Sequence, residues 1–550
     1  MLTASEPKPR YRVPAASRRV SAGAPGLMAA DGPARAPFRA ADLTDQVLGG
    51  WHGSRGSADR DWLMGRMTAI ARSRDAARND PLAGGVVRRK RAMVVGWGWI
   101  FTPQPDAEAL GIDTRTEEGW DQYDALVASM KREWRYWAED PVFRCDWEEQ
   151  LDFDLMLMLA VTHKIIDGEA VGILCWRERE DAFRYSTALH LVDPDLLENP
   201  MGRPDSDTLR AGIELDEDGR PGTYHFRRQH PADVGIGMGA MTWDAIPARE
   251  DWGRPRVVHL YEKKRAGQHR GIGDLVSSLR RFRTLEAYTD AELRSKVINA
   301  LVVAQYTSNM GGEMLAEIFG QSEAKDLMAL REKFYTDSDV SVAGSKVINT
   351  FPGDELKWNT ESRETDDYAD FAHAIASQCA GPAGSTYEMI TGDFTRHNYS
   401  SGRMSKGEAW REIEVERAMI AKQFATPIRL CVMEEAWYAG RLALPPNAPD
   451  FWDEVGAYVR GEWIGPPPGD IDPVKEPQGR ALRMANYSAS PQQIAAEEGR
   501  DLDEVIDEVM HAKRRLQRHN LVPADLATIL GVRGPTDAPE ADPQPEPRNR

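Results

Sequence analysis

The chain has 550 residues, 41% of them apolar and 28% charged, and a formal net charge of -18. A single core stops growing at ~250–300 residues, and this mix is rich enough in apolar side chains to fold, so several sub-domains are expected rather than a disordered chain. The acidic balance argues against a tight grip on DNA phosphates, which needs surplus Lys and Arg, and leaves open only a surface that repels phosphate.

The four cysteines, Cys145, Cys175, Cys379 and Cys431, form no CxxC pair, which leaves out zinc-ribbon spacings and a disulfide framework. They read as small buried side chains, and a reducing, cytoplasmic place of assembly follows. The N-terminus is polar, without a signal peptide, and no apolar run approaches the ~20 residues a membrane span needs, so no membrane partner is expected.

Residues 1–41 are rich in Arg, Ala, Pro and Gly and read as a flexible basic arm. A helical pattern follows through Trp62, Met67 and Ile70, and Asn79-Asp80-Pro81 breaks it. The end of Leu82–Phe101 looks like a strand. Apolar positions at three- and four-residue steps predict a helix over Trp120–Ala138 and another over Trp147–Ile166, closed by Asp167-Gly168. Ala170–Arg177, Arg184–Val192, Thr223–Arg228 and Arg256–Glu262 read as strands, with a hairpin-like turn at Asp216-Glu217-Asp218-Gly219. Residues 42–270 therefore form one α+β unit.

A long helix is expected from Gly271 to about Ala304, with a stripe through Leu275, Leu279, Phe282, Leu285 and Leu293. Residues 306–360 are a small mixed segment: a helix over Ser322–Phe334, a strand over Lys346–Thr350 and another near Leu356-Lys357-Trp358. A helix over Asp366–Cys379 stops at Gly381-Pro382. A Gly-, Ser- and Thr-rich loop runs to about Gly402, and a helix from Met404 to Tyr438 should kink at Pro427. The proline runs at 445–446 and 466–468 are hinges. Ser490-Pro491 starts a tail helix, and another carries Val505, Ile506, Val509 and Leu516. The Pro-rich end, 533–550, reads as disordered.

Motifs of catalysis are missing. There is no GxxxxGK[ST], so no phosphate-cradling loop, and neither HExxH nor GxSxG occurs. Histidines are scattered, and the acid pairs are of a kind common on acidic surfaces. No enzymatic activity, cofactor or metal is expected.

Three stretches carry a family resemblance. Arg265-Ala266-Gly267-Gln268-His269-Arg270-Gly271 is similar to an RxGQxRG segment that precedes a long helix. Thr395-Arg396-His397-Asn398-Tyr399-Ser400-Ser401-Gly402-Arg403 is similar to an NYSSxR motif before a Trp-bearing helix. Trp463-Ile464-Gly465, then Asp472-Pro473-Val474-Lys475-Glu476, then Gly499-Arg500-Asp501, is similar to a WxG…DPxKE…GxD ending. In this order, over roughly residues 42–522, they resemble the lambda-type portal proteins of tailed bacteriophages. One local departure is Asn486–Ser490, where the family commonly has glycine and threonine.

The resemblance implies an α+β, mainly α-helical portal fold: wing, two-helix stem, small α/β clip, long kinked helix and helical crown. On this chain the wing would be 42–270, the stem helices 271–305 and 361–380, the clip 306–360, the tunnel loop 381–402, the kinked helix and hinge 403–469, and the crown 470–532. It implies a homo-oligomeric ring, typically of twelve subunits, at one capsid vertex of the virion, through which double-stranded DNA is packaged and ejected. The implied partners are terminase, then a head-completion or adaptor protein, and the major capsid and scaffold proteins. Thr395, Arg396, His397, Asn398 and Tyr399 would line the channel and touch DNA without reading bases. Gly267, Gln268, Arg270, Gly271, Ser400, Ser401, Arg403, Asp472, Pro473, Lys475 and Glu476 would be structural. The alternatives are a non-enzymatic head-tail adaptor or tail protein, a terminase subunit, which the missing ATP-binding loop disfavours, and a non-viral globular protein.

Overall fold

The computed structural model describes residues 53, 55–178, 183–233, 242–301, 304–308, 317, 320–337, 341–342, 345–346, 354–358, 366–395, 399–469, 472 and 474–518. The chain divides into two units, Met1–Gly56 and Ser57–Arg550. Of the first, only Gly53, Arg55 and Gly56 are among the described residues, and the elements below all belong to the second. The expected basic arm 1–41 and the Pro-rich end 533–550 lie outside the described residues.

The architecture is mixed α and β. Helices Pro81–Val94, Glu117–Ala138, Phe153–Ile166 and Thr426–Tyr438 enclose the main core, which holds Val94, Leu126, Trp134, Trp137, Phe153, Leu157, Phe424 and Val432. The strand Glu169–Trp176 runs between Thr187–Val192 and Val257–Tyr261, both antiparallel to it. A four-stranded meander, Leu209–Arg210, Ile213–Leu215, Pro221–Arg227 and Trp243–Pro247, shares a second small core with this sheet through Val171, Ile173, Ile213, Tyr224 and Phe226.

Several expected elements are found nearly as read: the helices Glu117–Ala138, Asp366–Ala380 and Leu502–Arg518, and the turn at Asp216–Gly219. Helix Pro491–Glu497 begins with a full capping box between Ser490 and Gln493.

Others differ. The helix Arg66–Asn79 ends at the expected break, but Asp80-Pro81 at once starts an unforeseen helix, Pro81–Val94: the Asp80 carboxylate accepts the N–H groups of Leu82 (2.8 Å) and Ala83 (3.0 Å), and Pro81 needs no donor at the first position. The helix expected from Trp147 starts at Phe153, because the Asp146 carboxylate gathers the N–H groups of Glu148, Gln150 and Leu151 into a turn. The long helix expected from Gly271 starts at Leu279. Residues 271–273 are irregular and 274–278 form turns, because the two glycines are pressed against the end of helix Phe153–Ile166. A Cβ on Gly271 would lie 1.9 Å from the Gly168 carbonyl oxygen, and one on Gly273 would lie 2.5 Å from that of Ile166.

The loop expected over 381–402 contains the helix Tyr387–Thr391, capped by Thr386, and the next helix begins at Tyr399 rather than Met404. The kink expected at Pro427 takes the form of a π-helical turn over Ala421–Ala425, just before it. Widening the turn relieves the clash of the proline ring with the carbonyl four residues earlier. Of the strand expected over Lys346–Thr350, Ser345–Lys346 is found and 347–350 lie outside the described residues. Unforeseen strands are Leu209–Arg210, Ile213–Leu215, Trp243–Pro247, Ala304–Ser308, Ser341–Val342 and Gly461–Ile464.

Candidate functional site

The RxGQxRG stretch folds inward. Gly267 adopts a left-handed φ of 78°, open to glycine without strain. Gln268, buried, accepts the Lys264 N–H (2.9 Å) through Oε1 and donates through Nε2 to the Arg270 carbonyl (2.8 Å), tying off the loop. Arg270 is completely buried, which is tolerable for a guanidinium only if its N–H groups are used. Its Nε donates to the Glu169 carboxylate (2.7 and 3.0 Å), and its two terminal nitrogens donate to the carbonyls of Leu197 (2.7 Å) and Pro194 (2.9 Å).

Glu169, the first residue of its strand, also accepts from Arg66 (2.6 Å) and from the Gly271 N–H (2.9 Å), with His259 Nε2 at 3.1 Å. Burial alone would push its carboxyl up; the guanidiniums of Arg270 and Arg66 outweigh that and hold it well below the usual carboxylate range. His269 completes the stretch, its N–H and Nδ1 lying 2.9 and 2.7 Å from the Asp59 carboxylate.

Four residues on, Asp274 enters a second buried cluster. Lys90 lies 2.6 Å and Lys164 3.0 Å from its Oδ2, and the same two lysines meet Glu416 at 2.9 and 2.6 Å. Burial raises the Asp274 carboxyl, but Lys164 and Lys90 more than reverse this and lower it. Helices Pro81–Val94, Phe153–Ile166 and Tyr399–Ile420 and the turn before Leu279 are thereby joined at one point.

From this root, helix Leu279–Leu301 pairs with Asp366–Ala380. Tyr288 packs on Phe371 (ring centroids 4.6 Å apart) and Tyr368 (5.8 Å), and Ser278 Oγ donates to the Cys379 carbonyl (3.4 Å). Beyond Phe282 on one helix, and before Ala376 on the other, no described side chain is buried. Past the first helix, Ala304–Ser308 pairs antiparallel with Asp354–Trp358, which brings the chain back beside itself.

The second and third motifs meet. Arg403 is exposed, with its guanidinium 3.9 Å from Glu476, and Lys406 Nζ donates to the Gly469 carbonyl (2.6 Å). The Asp472 carboxylate accepts the N–H groups of Val474 and Lys475, each at 3.0 Å, and so holds the turn that leads into helix Lys475–Ala485; Lys475 Nζ lies 3.6 Å from the same carboxylate. Asp501, buried, accepts from Thr102 Oγ1 (2.6 Å) and Lys131 (2.7 Å), anchoring the last helix to the core. Trp463 packs edge-on against Phe101 and Trp134 and donates to Thr426 Oγ1 (3.0 Å).

Of the expected channel residues, Thr395 is exposed and donates to Asp393, its N–H at 3.0 Å and its Oγ1 at 2.6 Å. Arg396, His397 and Asn398 lie outside the described residues, as does Pro473. Tyr399 and Ser400 open helix Tyr399–Ile420, and Ser401 is half-buried within it.

Reading the sequence missed Arg66, Lys90, Lys164, Glu169 and Glu416. The available signal was Lys164 inside an apolar helix, where a cation needs a buried partner. It also missed Arg429, completely buried over the Phe101 ring at 3.7 Å, whose pKa burial pushes down to about 9. Cys145, Cys379 and Cys431 are buried and unpaired, and Cys175 is half-buried; burial pushes the Cys145 and Cys431 thiols up to about 12. Among the described residues, no group of three or more His, Cys, Asp or Glu is placed to hold a metal ion, and no helix is long and apolar enough to cross a membrane.

The model of the family described as phage portal protein, lambda family, matches residues 44–417. The portal protein of Escherichia phage N15 is 25% identical over 467 residues, 83% of this chain and 86% of that one. Portal protein B of Escherichia phage lambda is 24% identical over 506 residues, 90% of this chain and 93% of that one. Among solved structures, the neck of an empty gene transfer agent particle aligns with 82% of this chain and 97% of that one, at 13% identity and a TM-score of 0.40. With more than half of its length matched by one family model, the chain belongs to the lambda family of phage portal proteins.

Proposed function

We propose that this chain is one subunit of a closed ring, of twelve copies, that forms the DNA channel at a single capsid vertex of a virion. Its role is structural and non-enzymatic. The ring is assembled in the host cytoplasm, helps to start capsid assembly with the scaffold and major capsid proteins, meets terminase during packaging, and later meets head-completion proteins. Residues 42–270 are the wing, the paired helices Leu279–Leu301 and Asp366–Ala380 the stem, the segment between them the clip, and 470–532 the crown.

The observation that carries this reading is the helix pair. It is clamped at its root by two buried ionic clusters, yet beyond Phe282 on one helix and before Ala376 on the other it buries none of the described side chains, with Leu293 and Phe371 60% and 42% exposed. Two helices with apolar faces left open and a rigid base fit a surface that neighbouring copies cover. Exposed Trp176, Trp252 and Tyr438 around a cavity of about 800 Å3 supply more interface-type area.

Electron microscopy with mass photometry of the purified full chain tests the ring: particles with a central channel near twelve times 61.5 kDa are expected. A species that stays monomeric at every concentration sinks the reading. For the channel, Arg396 is the proposed phosphate contact, with Thr395, His397, Asn398 and Tyr399 beside it. Arg396→Glu should lower DNA packaged per particle while rings still form; normal packaging by that variant refutes the assignment.

A further inference from the structure

Helix Leu502–Arg518 is divided by charge. Its first two turns carry Asp503, Glu504, Asp507 and Glu508; its last two carry Lys513, Arg514, Arg515 and Arg518. The acidic half is engaged with the rest of the chain: Asp503 with Lys131 (2.6 Å), Glu504 with Arg135, and Glu508 with Arg500. The basic half is exposed, and among the described residues none of its four cations makes an ion pair. From Asp507 to Arg518 the helix rises roughly 16 Å, so this end stands clear of the residues that anchor its start. Ile506, Val509 and Met510 are 49%, 60% and 44% exposed beside it.

Where the acidic half lies beside helix Glu117–Ala138 there is a groove of about 600 Å3, lined by Asp124, Val127, Ala128, Tyr136 and Asp507 and also by the cations Lys131, Arg132 and Arg135, each of which already has a carboxylate of its own chain within 4 Å: Asp503, Glu133 and Glu504 in turn. Glu117, Asp121 and Asp124 follow one another at four- and three-residue steps along one face of that helix. All three are exposed, as is Asp507, and among the described residues none of the four makes an ion pair. Two acids with no ion pair among the described residues, Asp124 and Asp507, thus line a groove floored by Val127, Ala128 and the half-exposed ring of Tyr136, with Asp121 and Glu117 further along the same helix face, while four cations with no ion pair among the described residues occupy, with Leu516, the far end of the neighbouring helix.

We infer that the basic end of helix Leu502–Arg518 docks into the groove between helices Glu117–Ala138 and Leu502–Arg518 of a second copy of this chain. The match is of charge with charge and of Leu516 with the apolar floor. Tail and groove are different surfaces of one chain, so the contact is head-to-tail. Repeated by rotation it closes a ring, and a two-fold dimer does not use it. The inference rests on the ring proposed above and identifies one contact that builds it. Double-stranded DNA is the other polyanion such a helix end could meet.

The test uses three full-length chains: wild type, a tail variant (Lys513→Glu, Arg514→Glu, Arg515→Glu) and a groove variant (Asp121→Lys, Asp124→Lys, Asp507→Lys). All six positions are exposed, and unchanged circular dichroism confirms that each variant folds. By mass photometry at low salt, each variant alone should associate on the order of 100-fold more weakly than wild type, the size expected for losing several complementary interface charges. An equimolar mixture should recover association to within about tenfold of wild type, because an acidic tail then fits a basic groove. Variants that assemble like wild type, or a mixture that recovers nothing, overturn the inference and leave the ring standing. A tail variant that keeps its rings but loses affinity for a double-stranded oligonucleotide overturns it in favour of a DNA contact. Wild type that never associates overturns the ring and the inference together.

Discussion

At the root of the paired helices, Arg270 and Glu169 meet with neither side chain exposed, and Lys90, Lys164 and Asp274 are at most 5% exposed. In the C-terminal segment, helices Lys475–Ala485 and Leu502–Arg518 bury no residue, and pairs such as Arg483–Glu497 and Arg500–Glu508 stand in solvent. Both regions are rich in charge, yet charge does different work in each. Taken out of water, an ion must be matched on all sides, so the root can adopt one arrangement only. Left in water, the same residue types add little to folding and remain available to other molecules.

Substitutions can break this comparison, and the largest effect is expected at Arg270. Arg270→Met strips Glu169 of its main partner and removes the donor to the carbonyls of Leu197, Ala211 and Pro194, a loss of about 3–5 kcal/mol. Thermal unfolding should shift strongly downward; an unchanged midpoint would falsify the claim that the cluster fixes the root. The Glu169 carboxyl is depressed, so its contribution is present above the usual carboxylate range and disappears as pH falls through its lower folded value. As pH falls below the ordinary carboxylate range the root should therefore weaken progressively, visible as rising hydrogen exchange in 270–278.

Asp154 sharpens the contrast with the opposite sign. Burial raises its carboxyl from 3.8 to about 6, against a hydrogen bond from the Trp99 N–H (3.0 Å). What it contributes is fully present below pH 3.8 and is lost as pH rises through 6. Asp154→Asn keeps the acceptor and removes the charge, so at pH 7.5 it should stabilise the fold by about 1–3 kcal/mol. Denaturant melts at pH 4.5 and 7.5 check this: the gain should be confined to the higher pH.

In the C-terminal segment the effects shrink. Ser490→Ala removes one side of the capping box and should cost about 1 kcal/mol, read as faster exchange confined to Pro491–Glu497. Arg403→Ala breaks only a 3.9 Å contact with an exposed side chain and should change stability by less than about 0.5 kcal/mol. A midpoint shift of several degrees for Arg403→Ala would show that the junction of the second and third motifs holds the fold after all.

Local patterns made much of this legible. The stripe of Glu117–Ala138, the Ser490-Pro491 start and the turn at Asp216–Gly219 depend on side chains within a few positions of each other, and those were read correctly. The motif residues Gly267, Gln268, Arg270 and Gly271 were identified by order and spacing. Their partners were invisible, because Glu169 stands 101 positions from Arg270 and Lys90 stands 184 from Asp274.

By itself the sequence determined the family, the mixed α and β class and the positions of most helices, since periodicity, caps and motif order are short-range properties of the chain. The tertiary structure decided where the long helix begins. Gly271 and Gly273 lie against the end of another helix, and Arg270 and Asp274 are held in two buried clusters, so the backbone between them follows those contacts rather than helix propensity. It also decided which charges are sealed inside and which remain open to a neighbour, because burial is fixed by what packs around a residue and leaves no trace in its local spacing.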